Sequence, residues 1–103
     1  SMVFSYHMQF ERANRLAKLE EILGFSKIIL EIANENSRTC LTSSGIIMIM
    51  DLHKDFVITA YMANVKRCMA LYHEAGKSQI PPKVYKRVVK NNQRHPELVN
   101  LCN

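Results

Sequence analysis

Apolar positions culminate in residues 45–63, GIIMIMDLHKDFVITAYMA, where an aliphatic and Met-rich half is followed by a β-branched and aromatic half. This pattern predicts two neighbouring strands joined by the polar run 51–55. Residues 46–50 are apolar on both faces, which places that strand mid-sheet, with helices on one side and something apolar on the other. A second copy of the chain would serve as that cover, so a homodimer is one expectation. In Phe56–Met62 the period of two puts Phe56, Ile58, Ala60 and Met62 on one face, and Val57, Thr59 and Tyr61 on the other. The Thr-rich run 38–44, RTCLTSS, predicts a third strand that enters the hairpin through a tight turn at Ser44-Gly45.

Helical periodicity flanks this sheet. In residues 3–23, Ala13, Leu16, Leu19 and Leu23 share one side of a helical wheel, with Arg12, Arg15, Lys18 and Glu21 mostly elsewhere. Ser5 reads as the N-cap and Gly24 as the stop, while Val3, Phe4 and Tyr6 read equally well as an extended lead-in. In residues 25–36, FSKIILEIANEN, the spacing of Phe25, Ile28, Ile29 and Ile32 predicts a second helix capped by Ser26, with Lys27 and Glu31 one turn apart. Its isoleucine content makes a strand the competing reading. After the sheet, Asn64 is an N-cap for a helix with Val65, Cys68, Met69 and Tyr72 inward, ended by Gly76. Pro81-Pro82 opens a last helix with Val84, Tyr85, Val88 and Val89 inward and Lys83, Lys86, Arg87 and Lys90 outward. His95-Pro96 ends it, leaving a loosely packed tail over 93–103. The expected fold is α+β: two N-terminal helices, a small three-stranded antiparallel sheet and two C-terminal helices, in one domain over 2–103.

Composition adds limits. A chain of 103 residues makes one domain. It has no apolar run of about 20 residues and no leader pattern, so a soluble, cytoplasmic protein with no membrane partner is expected. Ser1 before Met2 reads as a residue left by tag removal. The three cysteines, Cys40, Cys68 and Cys102, are odd in number and widely spaced, which suits reduced thiols better than a disulfide framework. No phosphate loop, dinucleotide fingerprint, nucleophile elbow or metal-ligand spacing is present, so neither cofactor nor metal is expected.

Charge is more informative. The net charge of +5 is divided unevenly: residues 1–55 hold six Lys/Arg against seven Asp/Glu, and residues 56–103 hold eight against two. Lys66, Arg67, Lys77, Lys83, Lys86, Arg87, Lys90 and Arg94 are therefore the candidate contacts for nucleic acid, RNA ahead of DNA, or for a host nucleoprotein. The bland counterpart is a solvated basic face with no ligand. A metal-free phosphodiester site needs a base, a cation to hold the phosphate and an acid for the leaving oxygen. His7, Arg12, Arg15, Thr59 and Tyr61 supply such groups if the first helix crosses the sheet. Otherwise Arg12 and Arg15 are solvated helix charges and Tyr61 is a core aromatic.

The His-leading helix with paired Arg, the Ile-rich segment after it and the I-T-x-Y strand resemble small members of the barnase, EndoU, colicin and RelE-like ribonuclease superfamily over residues 7–63. That resemblance implies a toxin-like endoribonuclease with His7 as acid or base, Arg12 and Arg15 as phosphate holders, and Thr59 and Tyr61 in a strand-borne site. The whole chain, through E-R-x-N-x-R-L, C-L-T-x-x-G-I, D-F-V-I-T-x-Y and I-P-P-x-x-Y-K-x-V-x-K-N, also resembles small prophage and conjugative-element proteins of Firmicutes. This second resemblance carries no activity. It implies a phage or mobile-element protein in the host cytoplasm with a role in conflict between that element and its host, where small proteins often act by occupying a nucleic-acid-binding surface on a larger machine. An anti-CRISPR-type inhibitor of a host defence nuclease is a third expectation, beside the binding module and the ribonuclease.

Overall fold

In the computed structural model, which describes residues 2–99, Val3–Phe4 (β1), Ile28–Ala33 (β2), Ser37–Thr42 (β3), Ile46–Asp51 (β4) and Phe56–Met62 (β5) form one sheet. Its order is β1-β5-β4-β3-β2, with β1 parallel to β5 and the other pairs antiparallel. The helices are Ala13–Leu23 (α1), Val65–Glu74 (α2) and Pro82–Arg94 (α3), with a π-helical turn at His7–Glu11 and a 3-10 turn at Pro96–Leu98. The fold is α+β, but the expected three-stranded antiparallel sheet with two N-terminal helices is wrong.

Two segments cause the difference. Residues 25–36 carry a strand, not a second helix: Asn34 Oδ1 accepts from the Asn36 and Ser37 amides at 2.9 Å each, turning β2 back onto β3. The ladder slips between Ile28 and Leu30, so Ile29, Leu30 and Ile32 all reach one apolar cluster. Of the four apolar positions at helical spacing, Phe25 and Ile28 are exposed and only Ile29 and Ile32 reach this cluster; the β-branched side chains favour the strand. At the N-terminus, Val3 donates to Asp55 O at 2.8 Å and Ser5 to Val57 O at 2.9 Å, which makes the extended lead-in a short edge strand. The first helix is consequently shorter than expected. Ser5 Oγ accepts from the Met8 amide at 3.3 Å, and Gly24 ends α1 in ordinary right-handed geometry.

The central strand β4 is buried on both faces by this chain's own helices. Ile46, Met48 and Met50 pack with Met8, Leu16, Leu19 and Leu98, whereas Ile47 packs with Cys68, Leu71 and Val88. The cover assigned above to something apolar is α1, so the second copy is not needed for it. A bulge at Ile58 also changes β5: Met50 pairs with Val57 and Ile49 with Thr59, leaving one extra residue. Val57 therefore joins Ala60 and Met62 in the α1-side cluster, while Phe56 and Ile58 are exposed. Beyond the bulge Thr59 and Tyr61 keep a common face.

Local signals set the C-terminal helices. Asn64 Oδ1 accepts from the Arg67 amide at 2.8 Å, as its cap position leads one to expect. Gly76 (φ 76°) closes α2, with its amide on His73 O and that of Lys77 on Tyr72 O. Pro82 is the first residue of α3. Met69 and Tyr85, expected inward, are exposed, and Leu71 takes the buried position on α2. The tail is packed as far as Val99, against expectation: Leu98 is fully buried and Val99 bridges Met62. Residues 100–103, with Cys102 and the rest of the expected loose tail, lie outside the described residues. Among the described residues no helix is long and apolar enough to cross a membrane.

Candidate nucleic-acid interface

On α3 the apolar Val84 and Val88 face the sheet, and the stripe of cations lies about a quarter-turn round the helix from them, toward Phe25 and α1. Lys83, Arg87, Lys90 and Arg94 are spaced by four, three and four residues, so they form one stripe about 16 Å long, with Lys86 beside it. All five are exposed, and among the described residues none has an acidic ion-pair partner. Three polar bonds fix the helix that carries them. Asn91 Nδ2 donates to Ser44 O at 3.1 Å, Asn92 Nδ2 to Ala63 O at 3.0 Å, and Arg87 Nη2 to Phe25 O at 3.2 Å.

Below the stripe, two clefts of about 490 and 470 Å³ meet at Phe25 and Arg87, which line both. Lys27 and Lys83 stand over the first, Lys18 and Arg94 over the second. Glu21 and Glu97 are the acids of the second. Glu97 is engaged, with Lys18 Nζ 3.2 Å from its Oε1 and His95 Nδ1 3.7 Å away. Its own backbone amide and Lys18 hold the Glu97 carboxyl below the usual carboxylate range. Phe25 is the residue that sequence reasoning missed. Counted as part of a helical stripe, it instead sits between α1 and β2 with its side chain 76% exposed. Lys66, Arg67 and Lys77 belong to α2 and the loop after it and line neither cleft.

The five candidate catalytic residues are partly reunited. Arg12, Arg15, Thr59 and Tyr61 line one cleft of about 410 Å³ at the open side of β5, next to the Pro96–Leu98 turn. His7 does not line it; its Nδ1 is 2.5 Å from Glu11 Oε2, one turn along the same π-helical segment. Arg15 is occupied, donating to Glu97 O at 2.7 Å and Leu98 O at 3.0 Å, and burial, followed by the neighbouring Arg12, lowers its pKa. Arg12 has no ion-pair partner among the described residues. Thr59 Oγ1 lies 3.8 Å from Met8 Sδ. The cleft thus combines cations and hydroxyls with one carboxylate, Glu97, which is engaged by Lys18.

Burial pushes the Cys40 and Cys68 thiols up to about 11, with Glu31 adding to the effect at Cys40. Neither is poised as a nucleophile near neutral pH. Among the described residues no group of three His, Cys, Asp or Glu is arranged to hold a metal ion. No protein-family model matches this chain significantly, and no curated protein or solved structure does so either.

Proposed function

We propose that the protein binds nucleic acid through the basic stripe of α3, as a small basic protein of the kind carried by phages and mobile elements. The observation that carries this reading is the stripe of Lys83, Arg87, Lys90 and Arg94, aligned on one helix face and free of acidic ion-pair partners among the described residues. Unpaired cations at helical spacing hold a phosphate backbone by displacing its counterions, with little demand on base sequence. Replacing all four by Glu removes binding of labelled RNA or DNA in a mobility-shift assay. Replacing Lys66, Arg67 and Lys77 by Ala has the smaller effect. Equal losses from the two sets would assign the binding to overall charge and reject the stripe.

A second reading has its own observation: Arg12, Arg15, Thr59 and Tyr61 share one cleft. A metal-independent ribonuclease would hold the scissile phosphate on Arg12, since Arg15 is committed to backbone carbonyls. This reading requires RNA cleavage in EDTA that Arg12→Ala reduces at least about 100-fold, in line with the loss of a transition-state cation. An unchanged rate in that variant rejects it.

A further inference from the structure

The Phe25 ring stands between the two clefts that flank the α3 stripe. Tyr6 and Phe10 lie ring against ring, with centroids 4.5 Å apart. Val3, Phe56 and Ile58 lie on the thin β1 side of the sheet. Phe25 has Lys27 and Lys83 on one side and, on the other, Arg94 and the Glu97-paired Lys18 with Glu21 beside them, and Arg87 bonds to the Phe25 carbonyl. Its backbone is held at three more points: the Phe25 amide on Ile22 O at 3.1 Å, the Ser26 amide on Leu23 O at 3.1 Å and Ser26 Oγ on Ile22 O at 2.9 Å. A fixed backbone carrying an exposed ring, flanked by phosphate-binding charges, is the arrangement in which a base stacks and its backbone is held on either side.

We propose that this site takes single-stranded nucleic acid, one base stacking on Phe25 while the flanking phosphates lie in the two clefts it separates. The proposal rests on the α3 reading above and adds to it the strandedness of the ligand. A duplex keeps its bases stacked on one another and offers this ring only backbone and groove edges, whereas a single strand can turn a base outward. Such stacking tolerates any base, because every base has a π face. Sugar type is a separate matter, and the test carries both DNA and RNA strands.

The chain contains no tryptophan, so Phe25→Trp installs one fluorophore at the proposed stacking point. Labelled 12-nucleotide dT and rU strands and a 12-base-pair duplex are titrated by anisotropy at one salt concentration in EDTA. Native protein is expected to bind at least one of the single strands at least about 10-fold more tightly than the duplex. Phe25→Ala weakens single-strand binding about 5- to 150-fold, the value of one aromatic stack, and leaves the salt dependence unchanged because no charge is removed. Phe25→Trp binds like the native chain, and its indole emission is quenched by bound strand. If Phe25→Ala binds single strands normally while the four-residue Glu variant of α3 does not, stacking is wrong and the backbone-binding reading stands. If native protein binds neither form, both are wrong. Tighter binding of the duplex, or unquenched emission in a saturated complex, also overturns the proposal.

Discussion

Gly45 couples the β3–β4 turn to the helix that carries the cations, and Gly45→Ala tests that coupling. The turn closes through the Gly45 amide on Thr42 O at 3.0 Å, with Gly45 at φ 85° in the left-handed region. An alanine held there costs about 1–2 kcal/mol in backbone energy. Its Cβ would also stand 2.9 Å from Val88 Cγ2 and 3.3 Å from Cγ1, and overpacking of that kind costs about 1–3 kcal/mol. The total is about 2–5 kcal/mol, which lowers the melting temperature by at least about 8 °C in a domain of this size. Val88→Ala removes both crowding methyls, so Gly45→Ala in that background costs only the backbone part. Urea titrations of the four proteins read the difference as a coupling energy of about 1–3 kcal/mol. Equal cost in both backgrounds would refute the steric contact, and a cost below about 0.5 kcal/mol would refute the whole account of the turn.

Two further outcomes probe the C-terminal packing and the β4–β5 loop. Leu98→Ala should destabilise the fold by about 2–5 kcal/mol in urea, because Leu98 is fully buried in the α1-side cluster; a loss below about 1 kcal/mol would contradict a packed 3-10 turn. Asp51 accepts the His53 and Lys54 amides at 2.9 Å each, and these bonds hold its folded pKa below the ordinary 3.8. The carboxylate therefore stabilises the fold fully above about pH 4 and loses that contribution as pH falls through the lower folded value. The stability gap between native protein and Asp51→Asn should shrink over that acid range, and a gap constant from pH 7 to pH 2.5 would show the aspartate is not responsible.

Legibility in the sequence followed the range of the chemistry involved. The β4–β5 hairpin, the Asn64 cap, the Gly76 stop and Pro82 at a helix start are written in neighbouring residues, and each stands where the residues place it. β1 has only two residues, and its partner lies more than fifty positions away, so no local pattern announces it. In β2 an isoleucine-rich run that also fits helical spacing is a bulged strand, and the helical reading carried the exposed Phe25 and Ile28 into an imagined core. The α3 stripe was readable because charge and 3.6-residue period coincide there. The meeting of Arg12 and Arg15 with Thr59 and Tyr61 followed from packing α1 across the sheet, but His7 fell outside the cleft because the π-helical turn pairs it with Glu11.

The most direct test of the α3 interface is the affinity of the native protein for a labelled single strand between 50 and 200 mM salt, in EDTA. Four phosphate contacts on a single strand give a logarithmic slope of about −2.8, a loss of about 50-fold over that range, and replacing Arg87 and Arg94 by Gln halves the slope. Absence of binding at 50 mM salt, or a slope unchanged in the Arg87→Gln/Arg94→Gln protein, would contradict the account.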